Sequence, residues 1–406
     1  MVAPAPVPPN DACALATYTA PVPERLSIGV AGVVDPSHAP TPTNDAERLV
    51  FRQVYETLVH LDCAGVLRSG LARSWRQQED GRWEFTLRAG ARFSDGTPVT
   101  APDVVASLAG AGEITAASES VVVARLAAAS STPRRFADPA LAITRTVMGQ
   151  DGPIGSGAYA FDTSGGRVTV APFAGARRPV LVLRPTGNGD ARDLLDAGID
   201  LLVTDDPSVL GYAATRDEYA SIGLPWERTY VLAVPGDAVP VDASVRAGLA
   251  RDAVRVDARP ATPWWSDPAI GSCGIEPPPG AASATPGATS GAFIYPADDT
   301  PARDLVGRLI ALGILGPAGP PRASGLGATE FSAAFWSGLG AAYVLPLPSV
   351  TLEPCAALRA LIAQAPWLAD GPARHLTPLV ETRRRAIVRQ GGAAFTVDWD
   401  GTLRAL

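Results

Sequence analysis

Short alternations of apolar and polar residues, separated by glycine, proline and capping residues, recur along the 406-residue chain. Residues 26–30 and 83–87 alternate in the way that half-buried strands do. Shorter apolar runs of the same kind predict further strands at 168–170, 180–183, 201–203, 229–234, 386–388 and 394–397. The pattern therefore predicts strands over the whole length of the chain.

Helices are predicted where a capping residue precedes apolar residues at helical spacing. Asn44 with Glu47, and Thr100 with Asp103, have the capping-box pattern. After Asn44 the apolar positions 50, 54, 58 and 61 share one helix face, which predicts a helix ending near His60, whose charge would favour the dipole. Other helices are predicted at 190–197, 244–253, 302–312 and 355–363. Helices and strands together indicate a mixed α/β protein.

Two long stretches lack this periodicity. Residues 331–352 carry no charge but contain glycines and prolines, so we expect a buried strand with flanking loops rather than a membrane helix. Residues 258–292 consist mostly of Pro, Gly, Ala and Ser, which predicts a long surface loop. At 406 residues the chain exceeds what one core usually serves, so two lobes are expected.

Charge and composition exclude several functions. The chain has 34 basic and 41 acidic residues, a net charge of −7, and this acidic balance argues against nucleic acid as a partner. No lysine occurs, so every basic residue is arginine. A phosphate-binding P-loop lysine and a Schiff-base lysine are therefore excluded.

The chain also lacks the usual catalytic and metal-binding patterns. Its three histidines show no HExxH spacing, and no GxSxG motif occurs, so we expect neither an enzyme nor a resident metal or cofactor. Acidic pairs such as Asp298–Asp299 are interpreted as solvated loop charges. The four cysteines form no CxxC motif, and their even number fits either two disulfides, with three possible pairings, or buried free thiols.

Residues 54–108 contain a specific succession of motifs. VYETL (54–58) precedes GLARSW (70–75), which is followed by FTLR (85–88), FSDGTPV (93–99) and DVVAS (103–107). In this order the motifs resemble the extracellular solute-binding proteins of ABC importers, family 5, the peptide/nickel type. Weaker matches at 153–161, 194–200 and 245–252 extend the resemblance over most of 25–406.

The resemblance implies an α/β, bilobal periplasmic-binding-protein fold of the large type, with a hinge and a ligand cleft between two lobes. A flexible Pro-rich segment (1–24) would precede lobe I (25–230), lobe II would span 231–376, and 377–406 would return to lobe I. Since a bridge between lobes would hinder closure, the expected disulfides are Cys13–Cys63 and Cys273–Cys355.

The resemblance also implies a function. We expect a monomeric, periplasmic or extracytoplasmic protein that captures a short peptide or a less polar small molecule and delivers it to membrane permease subunits, without a cofactor. The first nine residues lack the basic and apolar regions of a signal peptide, and a lipoprotein precursor is one possible origin. The sequence departs from the family at 341–349, where an acidic signature is replaced, and is shorter than most members. A non-transport envelope regulator with a degenerate fold is therefore the alternative.

Ligand contacts in such proteins come from aromatic and arginine side chains outside the conserved-fold motifs. Motif residues such as Phe85 and Phe93 are interpreted as core. Trp264 and Trp265 stand beside the long loop, where we expect one to be buried and one partly exposed. The full set of predicted ligand-binding residues is Asp35, Arg145, Arg228, Tyr230, Trp264, Trp265, Trp336 and Tyr343.

Overall fold

The structure, a computed structural model, describes residues 13–15, 23–31, 33–126, 132–148, 152–162, 169–172, 178–186, 189–266, 273, 292–314, 322–338, 341–369, 371–390 and 395–405. Most of the predicted N-terminal segment and most of the predicted loop at 258–292 lie outside these residues. None of the described helices is long and apolar enough to cross a membrane.

The chain divides into two compact units. The first comprises Met1–Thr204, Ser208–Pro225 and Arg385–Leu406, and the second comprises Asp205–Pro207 and Trp226–Arg384. Residues 377–383, predicted to lie in lobe I, pair with strands of the second unit. The chain returns to the first unit directly after them.

The elements before the first crossing are mostly short strands. The strands are β1 (Arg25–Val30), β2 (Val59–Leu61), β3 (Leu67–Ser69), β4 (Ala72–Gln77), β5 (Trp83–Leu87), β6 (Gly112–Ser118), β7 (Val121–Leu126), β8 (Thr144–Arg145), β9 (Ile154–Gly155), β10 (Tyr159–Asp162), β11 (Thr169–Pro172), β12 (Val180–Pro185), β13 (Leu201–Thr204) and β14 (Tyr219–Gly223). The helices are α1 (Asp45–Val54), α2 (Ala101–Ser107), α3 (Ala191–Asp196) and α4 (Pro207–Ala213).

The elements that follow form the second unit and the C-terminal segment that returns to the first unit. The strands are β15 (Arg228–Ala233), β16 (Asp257–Pro260), β17 (Ala292–Pro296), β18 (Arg322–Leu326), β19 (Ala341–Pro348) and β20 (Leu376–Arg383), then β21 (Arg385–Arg389), β22 (Phe395–Val397) and β23 (Leu403–Ala405). The helices are α5 (Ala243–Gly248), α6 (Thr300–Ala311), α7 (Ala328–Ser337), α8 (Pro354–Gln364) and α9 (Pro372–His375). The α/β fold class is confirmed.

The main described sheet of the first unit has the order β10-β11-β12-β1-β13-β21-β14. β1 lies between β12 and β13 and is parallel to both, whereas β21 is antiparallel to both of its neighbours. Leu26 and Ile28 on β1 are buried in the core cluster that packs with α1. The other face packs on a second cluster beside α3 and α4.

Helix α1 begins as predicted but ends earlier. Its N-cap is Asn44, whose side chain accepts a hydrogen bond from the Glu47 N–H at 3.0 Å. The prediction that it reaches His60 is wrong, because the carbonyl of Val54 accepts the Gly157 N–H at 2.8 Å instead of continuing the helix. A Cβ on Gly157 would lie 2.6 Å from that carbonyl oxygen, so this close approach requires glycine.

The early end of α1 places His60 in strand β2, not at a helix terminus. Burial is the largest influence on its imidazole, and the charges of Arg404 and Arg52 add to it, so the pKa of His60 falls to about 3. Its Nδ1 atom is buried and has no hydrogen-bond partner among the residues that the structure describes. His60 is therefore neutral in the folded protein at neutral pH.

This lowered pKa makes stability depend on pH. Between pH 6.5 and 3 the unfolded state binds the His60 proton and the folded state does not, so the free energy of unfolding decreases as the pH falls. Between pH 6.5 and 5, we expect the free energy of unfolding of His60→Gln to decrease by about 2 kcal/mol less than that of the wild-type protein. Urea unfolding of both proteins at the two pH values measures this difference. His38→Gln is the control, and it should change the pH dependence of stability in the opposite direction, because the Glu47 hydrogen bond raises the pKa of His38. Equal pH dependence of the free energy of unfolding in wild type and His60→Gln would contradict the prediction.

The second unit is built around a described sheet with the order β16-β20-β15-β19-β17-β18. β17 is parallel to β18 and β19, while β15 is antiparallel to β19 and β20. Alternate residues of β15 face opposite cores: Tyr230 and Leu232 pack with α6, and Val231 and Ala233 pack with the α8 side. Residues 341–348 form the predicted buried strand, but 328–337 form α7 rather than a loop.

Both predicted disulfides are confirmed. Cys13 is bonded to Cys63 in the first unit, and Cys273 is bonded to Cys355 in the second. Each bridge thus joins segments of one unit.

Candidate functional site

The parallel strands of the second unit have their carboxyl ends at the same edge of its sheet, with β19 extending beyond the other two. These ends are Pro296 of β17, Leu326 of β18 and Pro348 of β19. Because β15 is antiparallel to β19, its first residue, Arg228, lies opposite Pro348 at the same edge. Open α/β sheets bind ligands outside the carboxyl ends of their parallel strands, so we take this edge as the candidate site of the unit.

A hydrogen-bonded cluster of Arg228, Tyr230 and Asp299 occupies this edge. The Tyr230 hydroxyl donates to Oδ1 of Asp299 at 2.9 Å, and the Tyr230 side chain is fully buried. Asp299 follows β17 and caps α6, since its Oδ1 also accepts the Ala302 N–H at 2.8 Å. Tyr230 and Arg228 lie on the same face of β15, two residues apart, which lets the arginine side chain reach the phenol.

Burial sets the electrostatics of this cluster. Burial raises the pKa of Asp299 above its ordinary value, although the Ala302 N–H and the Tyr230 hydroxyl favour its charged form. Burial and the neighbouring Asp299 carboxylate raise the pKa of Tyr230, so the phenol stays protonated and donates. The pKa of Arg228 is raised because Tyr230 and Glu227 outweigh the opposing effect of burial. Arg228 therefore keeps its positive charge at the strand edge, beside the partly buried carboxyl group of Asp299.

Trp264 reaches the same edge from the other face of the sheet. Its indole Nε1 donates to the Pro348 carbonyl at 2.9 Å, and its ring stands perpendicular to that of Trp265, 5.5 Å away. Trp265 is buried in the core beside Cys273, whereas Trp264 is partly exposed. The expectation of one buried and one partly exposed tryptophan is confirmed.

Charged and aromatic residues also hold the two segments where the chain enters and leaves the second unit. Glu227 accepts two hydrogen bonds from Arg384, at 2.8 and 2.9 Å, and both side chains are nearly buried. The guanidinium groups of Arg259 and Arg383 each lie 4.5 Å from the centre of the Trp226 ring. These contacts fix the backbone that begins β15, and with it the position of Arg228.

In the first unit, the corresponding position is the loop after β1. Asp35 lies in this loop, is exposed, and caps the short turn Pro36–His38 by accepting the Ser37 N–H at 2.9 Å. Its own N–H donates to the buried carboxylate of Glu47 at 3.1 Å. Asp35 is thus held at the carboxyl end of a central parallel strand.

The other predicted ligand residues have different surroundings. Arg145 donates to Asp103 at 2.7 Å, stacks over the Phe93 ring at 4.1 Å, and so joins the cap of α2. Tyr343 is fully buried among aromatic rings, and its hydroxyl donates to the Ala334 carbonyl at 2.7 Å. Trp336, on α7, is 60% exposed.

Several members of these clusters are not among the residues predicted from the sequence: Asp299, Trp226, Glu227, Arg259, Arg383 and Arg384. The pair Asp298–Asp299 was expected to be solvated, yet Asp299 is partly buried and bonded to Tyr230 across 69 positions of sequence. A signal for its role exists, since an aspartate directly before Thr-Pro is typical of a helix N-terminus.

Comparison with known proteins agrees with this fold. Residues 66–123 match the profile described as bacterial extracellular solute-binding proteins, family 5 Middle. The resemblance to family 5 is confirmed. This family 5 segment covers β4, β5, β6 and the first half of β7, which form one antiparallel sheet.

Individual relatives share short segments of sequence. The periplasmic murein peptide-binding protein MppA of Escherichia coli is 43% identical over 58 residues, which are 14% of this chain and 11% of MppA. The nickel-binding periplasmic protein of E. coli is 36% identical over 93 residues, 22% of this chain and 17% of that protein. The sequence matches therefore span less than a fifth of either relative.

Solved structures show the same fold over nearly the whole chain. The unliganded open form of MppA has a TM-score of 0.61, covers 94% of this chain and 96% of its own, and is 14% identical. NikA from Brucella suis, in complex with Fe(III)-EDTA, has a TM-score of 0.62 at 16% identity, covering 90% of this chain and 95% of its own. The periplasmic-binding-protein fold is therefore confirmed.

Proposed function

We propose that this chain is the extracytoplasmic solute-binding component of an ABC importer. The observation that carries the proposal is the family 5 segment within a chain that has this fold over at least 90% of its length. The polar groups gathered at the strand edge of the second unit support it, because such edges bind ligands in α/β sheets. The chain would work as a monomer in the periplasm or at the cell surface and pass its ligand to permease subunits, without contacting nucleic acid.

The ligand proposed is a short peptide or a less polar small molecule. Arg228, Trp264, Trp336 and Asp35 are the proposed contacts, since each has an exposed or partly exposed side chain. Tyr230 and Trp265 are proposed to position their neighbours Arg228 and Trp264. No ligand contact is assigned to Arg145 or Tyr343, whose side chains are occupied by the α2 cap and the aromatic core.

A thermal-shift panel of short peptides, metal chelates, sugars and lipids tests the proposal. A ligand at a hundredfold excess over its Kd stabilises the folded state by about 2.7 kcal/mol, so one class should raise the melting temperature clearly. We expect Arg228→Gln to weaken binding of that class at least about tenfold, the effect of losing one hydrogen bond to a charged group. The matched control is Arg251→Gln, since the Arg251 side chain is largely exposed and pairs with its neighbour Asp252.

The outcomes are distinct. A shift with one class, lost in Arg228→Gln and kept in Arg251→Gln, supports both the function and the site. Equal affinity in the two variants contradicts the site, and no shift with any class contradicts the proposed function.

A further inference from the structure

A continuous series of hydrogen bonds runs from the beginning of α6 to Arg228. The Ala302 N–H donates to Oδ1 of Asp299 at 2.8 Å, and the Tyr230 hydroxyl donates to the same carboxylate, at 2.9 Å to Oδ1 and 3.1 Å to Oδ2. The guanidinium of Arg228 in turn donates to the phenol oxygen of Tyr230. Two side chains therefore connect the backbone of a helix to the arginine at the strand edge.

The chemistry of the three side chains fixes the direction of these bonds. A guanidinium only donates and an ionised carboxylate only accepts, so the hydroxyl between them accepts from Arg228 and donates to Asp299. Tyr230 is fully buried, so water does not compete for its hydroxyl. The Tyr230 oxygen is therefore kept as an acceptor for the arginine.

Asp299 is well placed to hold the hydroxyl proton. It is the N-cap of α6, directly after β17, so its backbone is fixed between two regular elements. Both of its carboxylate oxygens accept hydrogen bonds, which restricts rotation of the carboxylate. The proton of Tyr230 thus has a rigid acceptor.

We propose that Asp299 is a positioning residue for Arg228, acting through the Tyr230 hydroxyl. Its carboxylate holds the hydroxyl proton, the phenol oxygen holds one guanidinium N–H, and the other N–H groups of Arg228 remain for a ligand. An arginine that is held before binding loses less side-chain freedom when the ligand arrives. The link to binding rests on the proposed function, in which Arg228 contacts the ligand, but the positioning itself is measured on the protein alone.

Because Asp299 also caps α6, a test must separate the cap from the contact with Tyr230. Serine caps helices about as well as aspartate, but its side chain is shorter by one atom. Asp299→Ser should therefore keep the beginning of α6 and lose the hydrogen bond to Tyr230. Tyr230→Phe removes the same hydrogen bond from the other side and keeps the buried ring.

NMR spectroscopy of the full chain labelled with 15N-arginine tests the proposal. The side-chain signal of Arg228 is identified by its absence in Arg228→Gln. A guanidinium N–H in a hydrogen bond exchanges slowly with water, so its exchange rate should increase at least about tenfold in Tyr230→Phe and in Asp299→Ser. Asp298→Ser is the matched control, since Asp298 is the neighbouring acid, is exposed, and loses the same charge.

Each outcome decides the question. Faster exchange in Tyr230→Phe and Asp299→Ser, with the wild-type rate in Asp298→Ser, supports the proposal. The wild-type rate in Asp299→Ser would show that Asp299 only caps α6, and an equal increase in Asp298→Ser would show that loss of charge alone is enough; either result overturns the proposal. Neither depends on the ligand panel with Arg228→Gln, so the positioning role and the proposed function can fail separately.

Discussion

Replacing Arg52 by methionine is expected to lower the free energy of unfolding of the first unit by about 3–5 kcal/mol, the cost of removing one partner from a buried ion pair. Arg52 is 4% exposed, and its guanidinium lies 2.7 Å from Asp400 and 3.2 Å from Asp398. Methionine fills much of the volume but leaves the Asp400 carboxylate without its main counter-charge. Chemical unfolding followed by circular dichroism measures the loss.

The matched control is an exposed arginine pair in the same unit. Arg76 lies 2.7 Å from Glu84, but its side chain is 66% exposed, so Arg76→Met should change stability much less than Arg52→Met does. The double variant Arg52→Met with Asp400→Asn should recover part of the loss, because it removes the uncompensated charge. Equal losses in Arg52→Met and Arg76→Met would show that burial does not set the strength of these pairs.

Removal of either disulfide is expected to destabilise its own unit by about 4 kcal/mol. The bridges span 50 and 82 residues, and closing loops of this length restricts the unfolded chain by about that amount. In hydrogen exchange, Cys273→Ser with Cys355→Ser should lower protection in the second unit, and Cys13→Ser with Cys63→Ser should lower it in the first. The two double variants are controls for each other.

A contrary result is easily recognised. If reductant leaves the unfolding midpoint of the wild-type protein unchanged, the bridges do not stabilise the fold as described. If one double variant lowers protection in both units equally, the two units do not unfold independently.

The beginnings of elements could be predicted from the sequence better than their ends. Asn44 and Thr100 mark helix starts because a cap is a contact between residues three positions apart. The end of α1 depends on Gly157, about a hundred positions later, which occupies the Val54 carbonyl. No local pattern contains that information.

For the candidate site too, some features could be predicted from the sequence and others could not. Arg228 and Tyr230 could be named from the family resemblance, and the cysteine pairing followed from the two-lobe organisation. The Tyr230–Asp299 and Glu227–Arg384 contacts could not, because each joins residues that only the folded sheet brings together. Tyr343 and Trp265 were named for their aromatic rings, but residue type alone does not distinguish a ring in the core from one at the surface.

The position of β21 has a consequence for the order in which the protein can fold during synthesis. The second unit draws nearly all of its residues from one continuous stretch, 226–384, so all of its strands are available once that stretch is complete. The first unit is not continuous: β21 separates β13 from β14, and Asp398 and Asp400 pair with Arg52 of α1. The half of the molecule that is synthesised first must therefore wait for the last twenty or so residues, and it is the later half that can mature first.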